Sequence, residues 1–217
     1  MPPVILLFAK APIPGQVKTR LQPLLNADQC AELHASFVAD ALHLLSRFND
    51  RALVELHTDS PTAAWPHCPF PRRLQSGLDL GQRMWHAAHG AFSRGASQVL
   101  LLGSDAPTLP PAHLDALLAS PADLAFGPTE DGGYYAVMFR RRPPDLFDHI
   151  EWSTQNTLAH SLAQAARLGL HTALGPPWFD IDSPADLLRL AAADPPPHTR
   201  AWLAAHQFLV TPTPAGI

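Results

Sequence analysis

Cysteine is nearly absent. Cys30 and Cys68 are the only two in 217 residues, and they fit neither a disulfide framework nor a thiolate metal spacing. Charge is scarce as well. Asp, Glu, Lys and Arg make up 16% of the chain and the formal net charge is −4, so nothing in the balance suits a nucleic-acid backbone as partner. No apolar run approaches the roughly 20 residues of a membrane span, and the apolar start, Val4 to Phe8, is too short for a signal peptide. The expectation is a cytoplasmic protein with no membrane span and no nucleic-acid partner. Histidines are numerous but scattered, with no His-Glu-x-x-His pattern. The 24 prolines punctuate element ends and form no low-complexity tract.

What is present centres on Val99-Leu100-Leu101-Leu102-Gly103-Ser104-Asp105-Ala106-Pro107. Four apolar residues without alternation suit a strand buried on both faces, as in a parallel sheet covered by helices. Asp105 follows at the carboxyl end of that strand, where open α/β sheets bind ligands. A hard carboxylate there suits Mg²⁺ or Mn²⁺ carrying a phosphate; the plainer reading is an N-cap or Asx turn before the helix at Pro111.

Strand and helix alternate along the chain, with no repeat and no linker. This implies one α/β domain over residues 1–210 with a mostly parallel sheet, and a disordered tail at 211–217. Val4 to Phe8 reads as the first strand, Asp28 to Arg47 as an amphipathic helix, and Leu53 to His57 as a second strand. Helices follow at Leu80 to Phe92, Pro111 to Ala119, Gln155 to Leu168 (capped by Ser153 or Thr154) and from Pro184, with a last one near Thr199 to His206. The remaining strands fall at Asp123 to Phe126, Tyr134 to Phe139 and Leu170 to Leu174, and the proline-rich stretch from Asp59 to Pro71 reads as a loop.

Three further stretches carry chemistry. The loop after the first strand, Ala9 to Leu21, holds Gly15 and the cations Lys10, Lys18 and Arg20. Cations and free backbone N–H groups at a strand end suit phosphate oxygens, although the loop lacks the Walker A and dinucleotide glycine patterns; the plain alternative is a solvated basic loop. Gln75 to Met84 places Gly77 and Gly81 before a helix bearing Arg83, which permits close backbone approach to a ligand, with Asp79 as a simple helix cap in the alternative. Glu130-Asp131-Gly132-Gly133-Tyr134 is a strong hairpin signal, and its paired glycines would also let a sugar lie against the backbone. Near the end, Ser183 and Pro184 explain a helix start. They do not explain Asp180 and Asp182 just before it, whose charges repel unless something cationic intervenes.

Taken in order, these motifs resemble the radical-SAM/selenodomain-associated transferases of the GT-A, or nucleotide-diphospho-sugar transferase, superfamily. The resemblance spans roughly residues 4 to 190 and rests on Phe8 to Leu21, Gln75 to Met84, Gly103 to Pro107, Asp131 to Tyr135, Trp152 to Thr154 and Asp180 to Leu187. It implies a three-layer α/β/α, Rossmann-like sandwich that binds a nucleotide through a divalent metal, Mg²⁺ or Mn²⁺, on Asp105 and Asp182. It assigns Ala9, Lys10, Gly15, Lys18, Arg20, Gln75, Gly77, Arg83 and Ser104 to the nucleotide, and Glu130, Asp131, Gly132, Gly133 and Tyr134 to the sugar or acceptor side. Lys18 and Arg20 would stabilise the leaving group and Asp131 would be the base.

The first loop, Pro-Ile-Pro-Gly, departs from the glycine-rich loop of the molybdenum-cofactor guanylyltransferases, so nucleotide identity does not carry over from them. The expected activity is glycosyl transfer from a nucleotide-diphospho-sugar to a small-molecule acceptor. The alternatives are nucleotidyl transfer from a nucleoside triphosphate and a nucleotide-binding module without turnover. A serine hydrolase built on Ser104 lacks the Gly-x-Ser-x-Gly elbow.

Overall fold

In the computed structural model, which describes residues 1–148 and 150–208, the most apolar strands lie at the middle of the sheet. These are β1 (Val4–Ala9) and β4 (Val99–Gly103). Ile5, Leu7, Leu100 and Leu102 point to one face, and Val4, Leu6, Val99 and Leu101 to the other. Each face is covered. On the first lie α1 (Ala27–Ser46) and α3 (Pro111–Ala119), and on the second α2 (Leu80–Ser93) and α4 (Thr157–Arg167). Two-sided burial is why these strands show no alternation in sequence, at roughly 1.5–3 kcal/mol for each large apolar side chain buried.

The remaining strands are β2 (Leu53–Thr58), β3 (Arg72–Leu74), β5 (Leu124–Pro128), β6 (Tyr134–Phe139) and β7 (Thr172–Leu174), in the spatial order β3-β2-β1-β4-β6-β5-β7. All neighbours run parallel except β6, which is antiparallel to both β4 and β5. That reversal decides where the site forms. The start of β6, the end of β5 and the ends of β1 and β4 all reach the same edge of the sheet.

A third apolar cluster lies beside the sheet. Leu21 and Leu25, with Leu33 and Phe37 of α1, pack against Ile181, against Leu187 of α5 (Pro184–Ala192), and against Trp202 of α6 (Pro197–Ala205). It joins the first loop to the segment before α5, two stretches about 160 residues apart.

Several element ends differ from the sequence reading. α4 begins at Thr157, because Ser153 lies in the left-handed region at φ 61° and the position before the helix is Asn156. Neither Ser153 nor Thr154 caps it; Thr157 Oγ1 instead donates to the Glu151 carbonyl at 2.9 Å. β3 was not anticipated, since its three residues are all exposed and show no apolar pattern. The late strand is shorter than Leu170 to Leu174, at Thr172–Leu174, and α6 starts two residues earlier than expected, at Pro197. The expected caps Asp79 and Ser183 are in place, accepting from Gln82 and Asp186 N–H groups. Residues 211–217 lie outside the described residues.

Candidate active site

The first loop leaves β1 at Ala9 and is fixed early. The Asp59 carboxylate accepts from Ala11 N–H at 2.7 Å, and the Gln75 side-chain amide donates to the carbonyls of Ala9 (3.3 Å) and His57 (3.0 Å). The loop ends at Lys18, whose backbone is left-handed (φ 47°, ψ 34°) just ahead of a 3-10 turn, Thr19–Leu21. From there the Lys18 side chain turns inward over the Phe37 ring and is only 4% exposed.

The partners of Lys18 come from the two other ends of the site. Its ammonium donates to Asp105 Oδ1 at 2.7 Å, Asp182 Oδ1 at 3.0 Å and the Ile181 carbonyl at 2.7 Å. The same two segments are tied through the backbone, Ile181 N–H donating to the Asp105 carbonyl at 2.9 Å. Arg20 stands 3.5 Å from the second oxygen of Asp182. Burial works against the Lys18 charge, but Asp105 and Asp182 outweigh it and hold the ammonium above the ordinary lysine value. Against the desolvation of the cavity floor, Lys18 in turn pulls Asp105 below the usual carboxylate range.

These cations are what the sequence left unexplained at Asp180 and Asp182. Lys18 and Arg20 neutralise Asp182. Asp180 has no salt bridge among the described residues; burial, Asp131 and Asp182 push its carboxyl up to about 6.

One cavity of about 490 Å³ joins these groups, within the size range of small-molecule sites. Of the sequence-predicted residues, it brings together Ala9, Lys10, Lys18, Arg20, Gln75, Arg83, Ser104, Asp105, Asp131, Gly133, Tyr134 and Asp182. Four others are not on its wall. Gly15 lies at a turn in the first loop. Gly77, at φ 144°, lies where an added Cβ would come within 2.7 Å of the Arg83 backbone nitrogen, so it seats the start of α2. Gly132 similarly seats α4, accepting from Leu158 N–H at 3.0 Å. Glu130 faces away and forms a two-pronged pair with Arg189, at 2.6 and 3.1 Å, while that guanidinium stacks 3.7 Å from the Phe179 ring. Asp131 stays on the wall because Thr129 Oγ1 (2.5 Å) and Gly133 N–H (3.1 Å) both donate to its Oδ1.

The sequence reading did not single out His34 or Thr157, and it left Asp180 as an unexplained charge without a site role; all three line the cavity, together with Thr129 and the apolar side chains of Phe8, Leu80, Met84 and Trp152. His34 sits on the apolar stripe of α1, a polar residue among Leu33, Phe37 and Val38, which was the available signal. Its Nε2–H donates to the Lys10 carbonyl at 3.0 Å. Burial holds it below the ordinary histidine value, despite Asp105 nearby. Its other nitrogen is buried without a hydrogen-bond partner among the described residues, 4.0 Å from Asp105 Oδ1.

The expected metal ligands therefore converge on a common point, with an all-oxygen donor set that fits a hard divalent ion. In this structure the cation at that point is the ammonium of Lys18. No cluster of three or more His, Cys, Asp or Glu side chains arranged for a metal occurs among the described residues.

A model of the family described as “Uncharacterized protein conserved in bacteria (DUF2064)” matches residues 46–154. Among solved structures, the chain is similar to a “putative nucleotide-diphospho-sugar transferase” from Desulfovibrio desulfuricans G20. The identity is 34% over 95% of this chain and 96% of that one, with a TM-score of 0.82. In fold alone it is similar to CMP:2-keto-3-deoxy-manno-octonic acid synthetase complexed with CTP, at 15% identity, 95% and 100% coverage and a TM-score of 0.59. It is similar in the same sense to glucosyl-3-phosphoglycerate synthase from Mycobacterium tuberculosis in complex with Mn²⁺, UDP and glucosyl-3-phosphoglycerate (11% identity, 98% and 81% coverage, TM-score 0.54). No protein of curated function matches the sequence. The fold is that of the nucleotide-diphospho-sugar transferases, as the order of motifs implied.

Proposed function

The chain belongs to the DUF2064 family, and from that premise we propose that it is a transferase using an activated nucleotide, with a nucleotide-diphospho-sugar as donor. The observation that carries this reading is the cavity at the carboxyl edge of the sheet, where Lys10, Arg20 and Arg83 share one wall system with Asp105, Asp131 and Asp182. A diphosphate is a multiply charged leaving group, and fixed cations aimed at it lower the barrier to its departure. Arg20 is 65% exposed and free to turn toward a ligand, whereas Lys18 is already engaged.

In this reading the sugar C1–O bond to the diphosphate breaks, an acceptor hydroxyl attacks C1, and Asp131 takes the hydroxyl proton. Asp180 is the second wall carboxylate without a cationic partner among the described residues. A divalent ion held by Asp105 and Asp182 would supply further screening of the diphosphate charge. Trp152, Tyr134 and Met84 give the cavity an apolar side suited to the ring of a sugar or acceptor. No helix among the described residues is long and apolar enough to cross a membrane.

The test is product analysis, with a small-molecule extract of bacteria as the acceptor source and Mg²⁺ or Mn²⁺ present. Release of a nucleoside diphosphate from one nucleotide sugar, reduced about 100-fold or more in Asp131→Ala, is expected for loss of a general base. Pyrophosphate release from a triphosphate would replace glycosyl by nucleotidyl transfer. Turnover of neither donor would leave a binding module. Glu130→Ala serves as the internal comparison. Because Glu130 is 56% exposed and paired with Arg189 off the cavity wall, its loss should leave the urea-unfolding midpoint nearly unchanged, with turnover unchanged.

A further inference from the structure

Three oxygens from two segments far apart in sequence surround one buried cation. Asp105 Oδ1, Asp182 Oδ1 and the Ile181 carbonyl lie 2.7, 3.0 and 2.7 Å from Lys18 Nζ, so every N–H of the ammonium is engaged. A phosphate ligand would normally claim those donors. Lys18 instead neutralises the carboxylates that are themselves suited to a hard divalent ion. Two cations at one point repel each other strongly in a partly desolvated site. The ammonium and a divalent ion cannot both sit there.

The backbone makes the exchange local. Lys18 lies at the end of the first loop, in a left-handed conformation that non-glycine residues adopt only when their surroundings impose it. The inward side chain passes over Phe37, and the cavity lies beside it. Turning it out moves the ammonium toward the cavity without disturbing a strand or a long helix.

We propose that Lys18 is a tethered placeholder cation: it and a divalent ion exclude one another at the oxygens of Asp105, Asp182 and Ile181. The ion-free protein keeps this place filled from within and resists Mg²⁺ or Mn²⁺. Loading a divalent ion requires Lys18 to leave, and the departing ammonium then faces the cavity. An anionic ligand that accepts Lys18 there favours ion binding, and by thermodynamic reciprocity the ion favours the ligand by the same factor. This last coupling rests on the nucleotide reading above. The exclusion itself does not, and its test contains no nucleotide, so failure of either is recognisable separately.

The test has two arms. In the first, Mn²⁺ alone is titrated and followed by electron paramagnetic resonance. Lys18→Met should bind Mn²⁺ about tenfold or more tightly than the unaltered protein, as expected when a competing charge is removed. Lys18→Arg, which keeps the charge, should show no such gain, and adding Asp182→Asn to Lys18→Met should abolish it. Equal Mn²⁺ affinity in the unaltered protein and Lys18→Met would overturn the proposal.

The second arm needs no variant and decides the matter if Lys18→Met does not fold. Lys10 and Lys18 are the only lysines in the chain, and Lys10 is exposed, so each serves as the other's reference in amine acetylation read by peptide mass spectrometry. In ion-free protein Lys18 should acetylate about tenfold or more slowly than Lys10, as expected for an engaged, buried ammonium, and saturating Mn²⁺ should speed Lys18 alone. Equal reactivity of the two without the ion, or a Lys18 rate that Mn²⁺ leaves unchanged, would overturn the proposal.

Discussion

Replacing Gly132 by alanine should lower the melting temperature by roughly 6–12 °C, the equivalent of about 3 kcal/mol in a chain of this size. An added Cβ would lie 2.0 Å from the Gln155 carbonyl oxygen and 2.7 Å from its carbon. The obstacle is backbone, so no side-chain rotation relieves it. The φ of 91° adds to the cost, since that region disfavours residues with a Cβ. To relieve the clash the turn must move away from α4, which breaks the bond from Leu158 N–H to the Gly132 carbonyl and carries Asp131 and Gly133 off the cavity wall. Gly169 provides the comparison. It also has a positive φ, 66°, but open space where its Cβ would go, so Gly169→Ala should cost only about 1 kcal/mol. Equal losses in the two variants would show that the packing of the turn against α4 is not what demands glycine.

Glu55→Gln should cost roughly 3 kcal/mol at neutral pH, and the deficit should close in acid. Glu55 sits on β2 with its side chain 10% exposed. It accepts from His57 Nε2–H at 2.9 Å, Arg73 Nε–H at 2.8 Å and Arg94 at 2.8 Å. Burial alone would raise its carboxyl, but the hydrogen bonds from His57 and Arg73 and the charge of Arg94 lower it from the ordinary 4.5 to about 2. The folded state thus holds the ionised form better than the unfolded chain does. That stabilisation is complete above about pH 4.5 and disappears as pH falls toward 2. Urea unfolding of both proteins from pH 7 to pH 2.5 reads it. The gap should be widest at pH 7 and narrow progressively below pH 4.5. A gap independent of pH would assign the loss to packing instead of charge.

How much of this was readable beforehand varied with the kind of interaction. The two-sided strands were legible because burial on both faces leaves a run such as Val99 to Leu102 with no polar residue. The carboxyl end of β4 marked Asp105, and the cap at Ser183 left Asp182 as an unexplained charge, so both acidic positions could be named. That Lys18 would stand between them could not be read. Its side chain points inward only because the third apolar cluster brings Leu21 and Phe37 against Ile181, and contacts across about 160 residues leave no local pattern. His34 was hidden for a related reason, as a single polar residue in an apolar stripe reads equally as core or ligand. Gly132 and Glu130 look like ligand residues in sequence because a tight hairpin uses the same residue types as a sugar-binding turn. The superfamily follows from the order of motifs and is matched by the fold; the radical-SAM/selenodomain label has no counterpart in the likenesses described.

On the proposed reading, the cavity between β1, β4, β6 and the segment before α5 binds the phosphates of a nucleotide. Isothermal titration calorimetry with the common nucleoside diphosphates, in the presence of Mg²⁺, tests it most directly. The unaltered protein should bind one of them at a single site, and the Lys10→Ala/Arg20→Ala double variant should bind it about tenfold or more weakly while melting within a few degrees of the unaltered protein. No nucleotide binding by the unaltered protein, or equal binding by the double variant, would contradict the account.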